Sequence, residues 1–314
     1  STQRANDSLV GGDDDLYGSV NAAEDVAGAD SDGDIIDVRG PSTTTQSAVV
    51  SYEHDGDVDN GNVEVAKANV TVLGPVAAPG SSSNRTDETA IFDPINVTAN
   101  NVTLDGFAVV ADQGNPVLNS SAYGADAGSG NTTNAVVGAQ SSYNLTVQNL
   151  SITTDRDSTN ESMPVGIGAN TTTATNTTLD VDDTFIGDHD AGTTTGSAVV
   201  AQDNVSLTIE DSEFDAGANG FDGTGTSSSN LTSEAYGVLA ADDDSTAQVI
   251  NSTNITDFDA DGINTIASNL EVRDSTVNTN NADNADTGIG GLVTNSSVGA
   301  TGNQYVVNTT NVEN

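Results

Sequence analysis

Leu207-Thr208-Ile209, with Phe214 five residues after Ile209, is one copy of a short apolar box that recurs six times along the chain. The other copies are Val102-Thr103-Leu104 with Val109, Leu145-Thr146-Val147 with Ile152, Leu179-Asp180-Val181 with Ile186, Val249-Ile250 with Ile255, and Leu270-Glu271-Val272 with Val277. Small or polar residues fill the interval, such as Asp105-Gly106, Gln148-Asn149, Asp182-Asp183 and Arg273-Asp274-Ser275. Within a box, apolar and polar residues alternate with a period of two, the mark of a strand with one face inward and one outward. Recurrence of the box makes each copy one unit of a stacked architecture.

The anchors at 104, 147, 181, 209, 250 and 272 are 43, 34, 28, 41 and 22 residues apart. A solenoid produces such unequal intervals, because its packed register is kept while its turns lengthen. Three short strands with tight turns need on the order of 20 residues, so the interval of 22 closes one turn with little to spare. A second strand precedes most boxes: Val136-Val137-Gly138-Ala139, Val165-Gly166-Ile167-Gly168-Ala169, Val199-Val200-Ala201, Val238-Leu239-Ala240-Ala241 and Ile263-Asn264-Thr265-Ile266-Ala267. Asn101, Asn144, Asn204 and Asn269 stand just before or at the start of a box, where a left-handed asparagine can turn the chain.

These features predict an all-β parallel β-helix. The stretch Tyr17-Gly18-Ser19-Val20-Asn21-Ala22-Ala23-Glu24-Asp25-Val26-Ala27-Gly28 spaces Val20, Ala23 and Val26 about a helical turn apart and ends on Gly. It predicts a short N-terminal helix that caps the solenoid, whose end would otherwise offer unpaired backbone groups. Asp34-Ile35-Ile36-Asp37-Val38 reads as a first strand, and Val63-Glu64-Val65 with Val70-Thr71-Val72-Leu73 as a further pair. Residues 1–15 are expected to be an N-terminal arm and 16–314 a single domain, since a solenoid adds coils without a second core. Polar stretches at 119–134, 155–161, 188–196, 216–233 and 278–287 are expected to be insertions on the coils.

The order Gly18-Ser19-Val20-Asn21-Ala22-Ala23-Glu24-Asp25-Val26-Ala27, then Gly33-Asp34-Ile35-Ile36-Asp37-Val38, then Asn69-Val70-Thr71-Val72-Leu73-Gly74-Pro75, then Ile95-Asn96-Val97-Thr98-Ala99-Asn100-Asn101-Val102-Thr103-Leu104-Asp105-Gly106-Phe107 resembles the opening of parallel β-helix proteins of the pectin-lyase-like superfamily, haloarchaeal surface proteins among them. The resemblance covers roughly residues 16 to 110 and becomes a generic repeat pattern beyond. It implies a right-handed parallel β-helix and leaves function open, because that superfamily holds lyases, hydrolases, adhesins, spikes and scaffolds.

Six basic residues stand against 47 acidic ones, giving a net charge of −41. At molar salt the Debye length is about 3 Å, so repulsion among the carboxylates is screened, and the composition suits a halophile. The same charge disfavours nucleic acid. There is no cysteine, hence neither disulfide nor thiol chemistry. About 18 Asn-X-Ser/Thr sequons occur, dense enough to predict an extracellular, glycosylated chain, with Asn69, Asn84, Asn119, Asn131, Asn170, Asn230, Asn251 and Asn295 as acceptors. No signal peptide and no apolar run long enough to span a membrane is seen, which fits a mature, secreted form without a transmembrane segment.

Catalytic signals are sparse. The pectin-degrading hydrolases of the superfamily use a trio of aspartates with a Gly-His-Gly and an Arg-Ile-Lys element. The nearest echoes are Asp182-Asp183 and Gly187-Asp188-His189-Asp190, without the flanked His or a later Arg-X-Lys. Arg273 is the only basic residue late in the repeats that could act as the base of a lyase. Asp257, Asp259 and Asp261, followed by Gly262, copy the first half of a calcium loop, whose bidentate Glu is replaced by Ser268. Asp30, Asp32 and Asp34, and Asp55, Asp57 and Asp59, form similar runs. Such runs read either as calcium ligands or as solvated acidic loops, and no cofactor is required.

The expectation for function is a non-enzymatic structural subunit that self-assembles into an extracellular filament, coat or surface layer, with N-linked glycans and copies of itself as partners. Terminal segments, Ser1 to Val10 or Gln304-Tyr305-Val306-Val307-Asn308, are the expected contacts. A carbohydrate-binding or carbohydrate-cleaving β-helix and a viral fibre of a halophilic host are the alternatives. The first would need a ladder of aromatics or an acid cluster with a base, and aromatics are only 4%.

Overall fold

The computed structural model describes residues 2–4, 34–38, 51–52, 63–74, 90–91, 95–111, 135–140, 144–154, 165–170, 177–187, 198–202, 205–215, 237–241, 247–258, 262–266, 269–279, 289–290, 304–307 and 310–312. These residues form strands in three parallel sheets with no helix among them, the arrangement of a parallel β-solenoid. Sheet A has 10 strands: Thr2–Arg4, Asp34–Asp37, Val70–Leu73, Val102–Asp105, Leu145–Gln148, Thr177–Asp182, Val205–Glu210, Ala247–Asn251, Asn269–Arg273 and Gln304–Val307. Sheet B has nine, from Ser51–Tyr52 to Thr310–Val312, and sheet C eight, from Val63–Val65 to Ile289–Gly290. From Val63 onward the chain visits C, A and B in turn and repeats the round.

The boxes are the strands of sheet A, and their register is the one the repeat demands. Leu104 pairs with Val147, Val147 with Val181, Val181 with Ile209, Ile209 with Ile250 and Ile250 with Val272. The apolar residue five positions on lies in sheet B, where Val109, Ile152, Ile186, Phe214, Ile255 and Val277 form one column. The strand before each box supplies sheet C, with Val137, Ile167, Val199, Val238 and Ile263 in register. All three columns are buried. Each fully buried Val, Leu or Ile contributes about 1.5–3 kcal/mol, and the columns join in one apolar cluster running from Ile36 to Val277.

The insertions expected from the sequence fall between a strand of sheet B and the next strand of sheet C, apart from Asn278 and Thr279, which end the strand Thr276–Thr279. The step from A to B is fixed instead at two residues in every round from Val102–Asp105 onward, first Gly106-Phe107 and then Asn149-Leu150, Asp183-Thr184, Asp211-Ser212, Ser252-Thr253 and Asp274-Ser275. So short a step needs a left-handed residue, and φ is 78° at Gly106, 53° at Asn149, 45° at Asp183 and Asp211, 50° at Ser252 and 47° at Asp274. The asparagine corner expected before the box is left-handed at Asn101 (φ 55°) and also at Asn69 (φ 61°), and Asn144 stands just before its strand. Asn269 begins its strand, and Asn204 lies outside the described residues.

The fifth box differs from its reading in the sequence. Gln248, not Val249, lies in line with the inward Leu207 and Leu270. Gln248 is buried, and its Nε2 donates to the Val205 carbonyl at 3.0 Å, while Val249 is half-buried on the outer side. The period of two is obeyed; the apolar pair Val249-Ile250 straddles the wall. The expected capping helix at 17–28 lies outside the described residues. Of the expected arm, Thr2–Arg4 forms the outermost strand of sheet A, paired with Asp34–Asp37.

Candidate metal centre

The second residue of each two-residue corner is buried: Phe107, Leu150, Thr184, Ser212, Thr253 and Ser275. The first two are apolar, and the last four carry hydroxyls that hold the corner together. Thr184 Oγ1 donates to the Asp182 carbonyl at 2.9 Å, Ser212 Oγ to Glu210 at 2.7 Å, Thr253 Oγ1 to Asn251 at 2.8 Å and Ser275 Oγ to Arg273 at 2.6 Å. Two of these hydroxyls also accept a backbone N–H from the round before, Ser212 Oγ from Thr184 at 3.2 Å and Ser275 Oγ from Thr253 at 3.1 Å. Each bond spans the left-handed residue and fixes it at the wall's outer edge.

Two such left-handed residues, Asp183 and Asp211, occupy the same corner position on successive rounds, and the Asp183 N–H donates to the Glu210 carbonyl at 3.2 Å. Asp182 ends the strand just before the corner and lies opposite Glu210. The result is a triad in which carboxylate oxygens of Asp182, Asp183 and Asp211 all lie within 4.8 Å of one another. Asp182 and Asp183 are half-buried and Asp211 is exposed. Burial, and then the charges of Asp182 and Asp211, push the Asp183 carboxyl above its usual range. Asp180, two residues back on the same face, is raised by burial and partly lowered by a hydrogen bond from Thr208.

Two rounds earlier the same wall position is treated differently. Asp105 accepts from Gln148 Nε2 at 2.9 Å and from Asn149 Nδ2 at 2.8 Å, so amides of the following round satisfy its carboxylate. At Asp182 the following round presents Glu210 and Asp211 in the places of those amides. Carboxylates without amide donors are the chemistry a hard divalent cation accepts, with oxygen ligands at about 2.3–2.6 Å from calcium.

Of the residues singled out in the sequence, Asp182 and Asp183 come together with Asp211, while His189 lies outside the described residues. Arg273 is ion-paired with Glu271 on the outer face. Asp257 lies in the strand Asn254–Phe258, and Asp259 and Asp261 are outside the described residues. Among the expected glycan acceptors, Asn69 is at the left-handed turn before Val70–Leu73, and Asn170 and Asn251 end their strands. Asn84, Asn119, Asn131, Asn230 and Asn295 are outside the described residues. Sequence reasoning missed Asp211, although the recurring pairs Asp183-Thr184, Asp211-Ser212 and Asp274-Ser275 mark the corner. Compared with known proteins, the chain matches no family model, no curated protein and no solved structure.

Proposed function

We propose that this chain is a right-handed parallel β-helix of the pectin-lyase-like type and serves as a secreted, glycosylated structural subunit of a halophile's extracellular filament, coat or surface layer. It acts by self-assembly and needs no catalytic centre. The observation that carries this reading is that the strands are parallel throughout, so the outermost strands of sheet A, Thr2–Arg4 and Gln304–Val307, run in the same direction. A parallel sheet has complementary edges, and a second copy set head to tail continues the ladder without reversing it. Such a heterologous contact does not close on itself and yields filaments. The acidic composition supports the saline setting, where carboxylates on neighbouring copies are screened. Calcium enters as an accessory ligand at the Asp182–Asp183–Asp211 corner.

Electron microscopy of native material in about 2–4 M salt tests this, since screening is then near complete. Ten strands in sheet A at about 4.8 Å each give an expected axial repeat of about 48 Å per subunit. Dispersed monomers, or an assembly with an unrelated repeat, would overturn the end-to-end contact.

A further inference from the structure

Asn69-Val70-Thr71, Asn101-Val102-Thr103 and Asn144-Leu145-Thr146 are three glycosylation sequons and also three successive rungs of one wall, with Thr71, Thr103 and Thr146 in register. Their middle residues Val70, Val102 and Leu145 are each 1% exposed. The polar–apolar–polar triplet read as an acceptor signal is thus the out–in–out alternation of a strand. The asparagines form a column of their own. Asn101 Nδ2 donates to Asn69 Oδ1 at 3.1 Å, Asn144 Nδ2 to Asn101 Oδ1 at 3.1 Å, and the Thr178 hydroxyl to Asn144 Oδ1 at 3.1 Å.

We infer that the sequons built into the sheet walls are structural and closed to glycan attachment once the chain has folded, and that Asn69, Asn101 and Asn144 form an amide ladder. This deepens the glycosylated-subunit reading by sorting its acceptors, and that reading survives if the sorting fails. In the transfer reaction Asn Nδ2 attacks the anomeric carbon of a lipid-phosphate-linked sugar. The N–C bond forms as the bond from sugar carbon to phosphate oxygen breaks, and Nδ2 gives up one proton. The transferase must reach Nδ2 and the sequon hydroxyl together, on a chain free to leave its neighbours, which is why occupied sequons lie in surface loops.

The wall sequons fail that requirement in several ways. Nδ2 of Asn101 and of Asn144 is held in the ladder. Asn149 Nδ2 is held by Asp105, and the hydroxyl partner Ser151 of that sequon is buried. In Asn251-Ser252-Thr253 the hydroxyl is buried and donates to the Asn251 carbonyl. In Asn96-Val97-Thr98 it donates to Glu64, and Val97 is buried. Asn254 precedes the buried Ile255. Presenting any of them means freeing backbone that is paired with neighbouring rounds and withdrawing a buried side chain from the wall.

The test uses a purified oligosaccharyltransferase and a lipid-linked oligosaccharide, with the full folded chain and with peptides of residues 66–76, 98–108 and 141–151 as acceptors, occupancy being read by mass spectrometry. The peptides are expected to be modified at Asn69, Asn101 and Asn144 at least about tenfold faster than the same residues in the folded chain. Rates within about twofold, or glycan on Asn101 or Asn144 of the native protein, would overturn the inference. A second variant reads the ladder itself: Asn101→Gly keeps the left-handed backbone at φ 55° while removing the amide, and is expected to lower Tm, whereas an unchanged or raised Tm would overturn the ladder.

Discussion

Replacing Ser212 by Ala removes one oxygen with two duties, and the consequences separate cleanly. The bond to the Glu210 carbonyl is lost, but that carbonyl still accepts the Asp183 N–H at 3.2 Å. The Thr184 N–H has no such reserve: its acceptor is Ser212 Oγ at 3.2 Å, in buried surroundings. A buried donor left without a partner costs about 1–3 kcal/mol. Since about 1.4 kcal/mol is a factor of ten, the Thr184 amide should exchange with solvent roughly 5- to 150-fold faster. Ser212→Thr keeps the oxygen and places there a residue already used at the equivalent positions 184 and 253, so its cost should stay below about 1 kcal/mol. Amide hydrogen exchange followed by NMR in molar salt is the appropriate assay, because a solenoid frays locally and one global midpoint blurs the effect. Unchanged protection of Thr184 in Ser212→Ala, or equal losses in the Ala and Thr variants, would refute the hydroxyl lock.

Gly74→Ala should cost about 2 kcal/mol or more by thermal unfolding, because its Cβ would stand 2.1 Å from the Gly106 carbonyl oxygen, a backbone atom of the next round. Gly106→Asn should change stability by less than about 1 kcal/mol, since asparagine already occupies the matching left-handed corner at Asn149. Phe214→Ala, at a fully buried position of sheet B, should cost about 3–5 kcal/mol. Asp183→Asn addresses the raised carboxyl. A group whose folded pKa lies above its unfolded value of 3.8 binds its proton more readily when folded, so its ionisation lowers stability as pH rises through that window and remains unfavourable above it. The variant should therefore be the more stable at neutral pH in low salt, and its advantage should vanish below pH 3.8 and shrink at molar salt. Calcium at constant ionic strength should raise Tm of the native chain more than magnesium does, and Asp211→Asn should abolish the difference; equal effects of both ions in both proteins would reduce the triad to ordinary screened charge.

The repeat was legible because its physics is local. An inward Leu or Val at every second position, followed at a fixed distance by one more apolar residue, is what a three-sheet wall requires, and the columns through Val147 and Ile152 follow it round by round. Gln248 escaped because its amide is held inside the wall by the Val205 carbonyl, while Val249 beside it resembles a core residue. The corner before the box was legible at Asn101 because asparagine advertises a left-handed turn, whereas the second corner, after the box, escaped because Asp183, Asp211 and Ser252 adopt one under the pressure of a two-residue step. The triad could not be read from spacing, since Asp211 meets Asp183 only once the chain has closed one full turn between them. The density of sequons was visible, but that Asn101-Val102-Thr103 is a rung of a wall needed the register.

Every strand of sheet A from Asp34–Asp37 to Gln304–Val307 pairs with the strand of the round before it, so no contact in the wall waits for a distant part of the chain. Folding can then advance as winding does: once one round has formed, the next residues find a finished template, and the closure entropy is met one loop at a time. The slow, simultaneous assembly that burdens most parallel sheets is avoided. A chain emerging from a ribosome or a translocation pore can acquire structure in the order in which it emerges, with only its latest edge exposed.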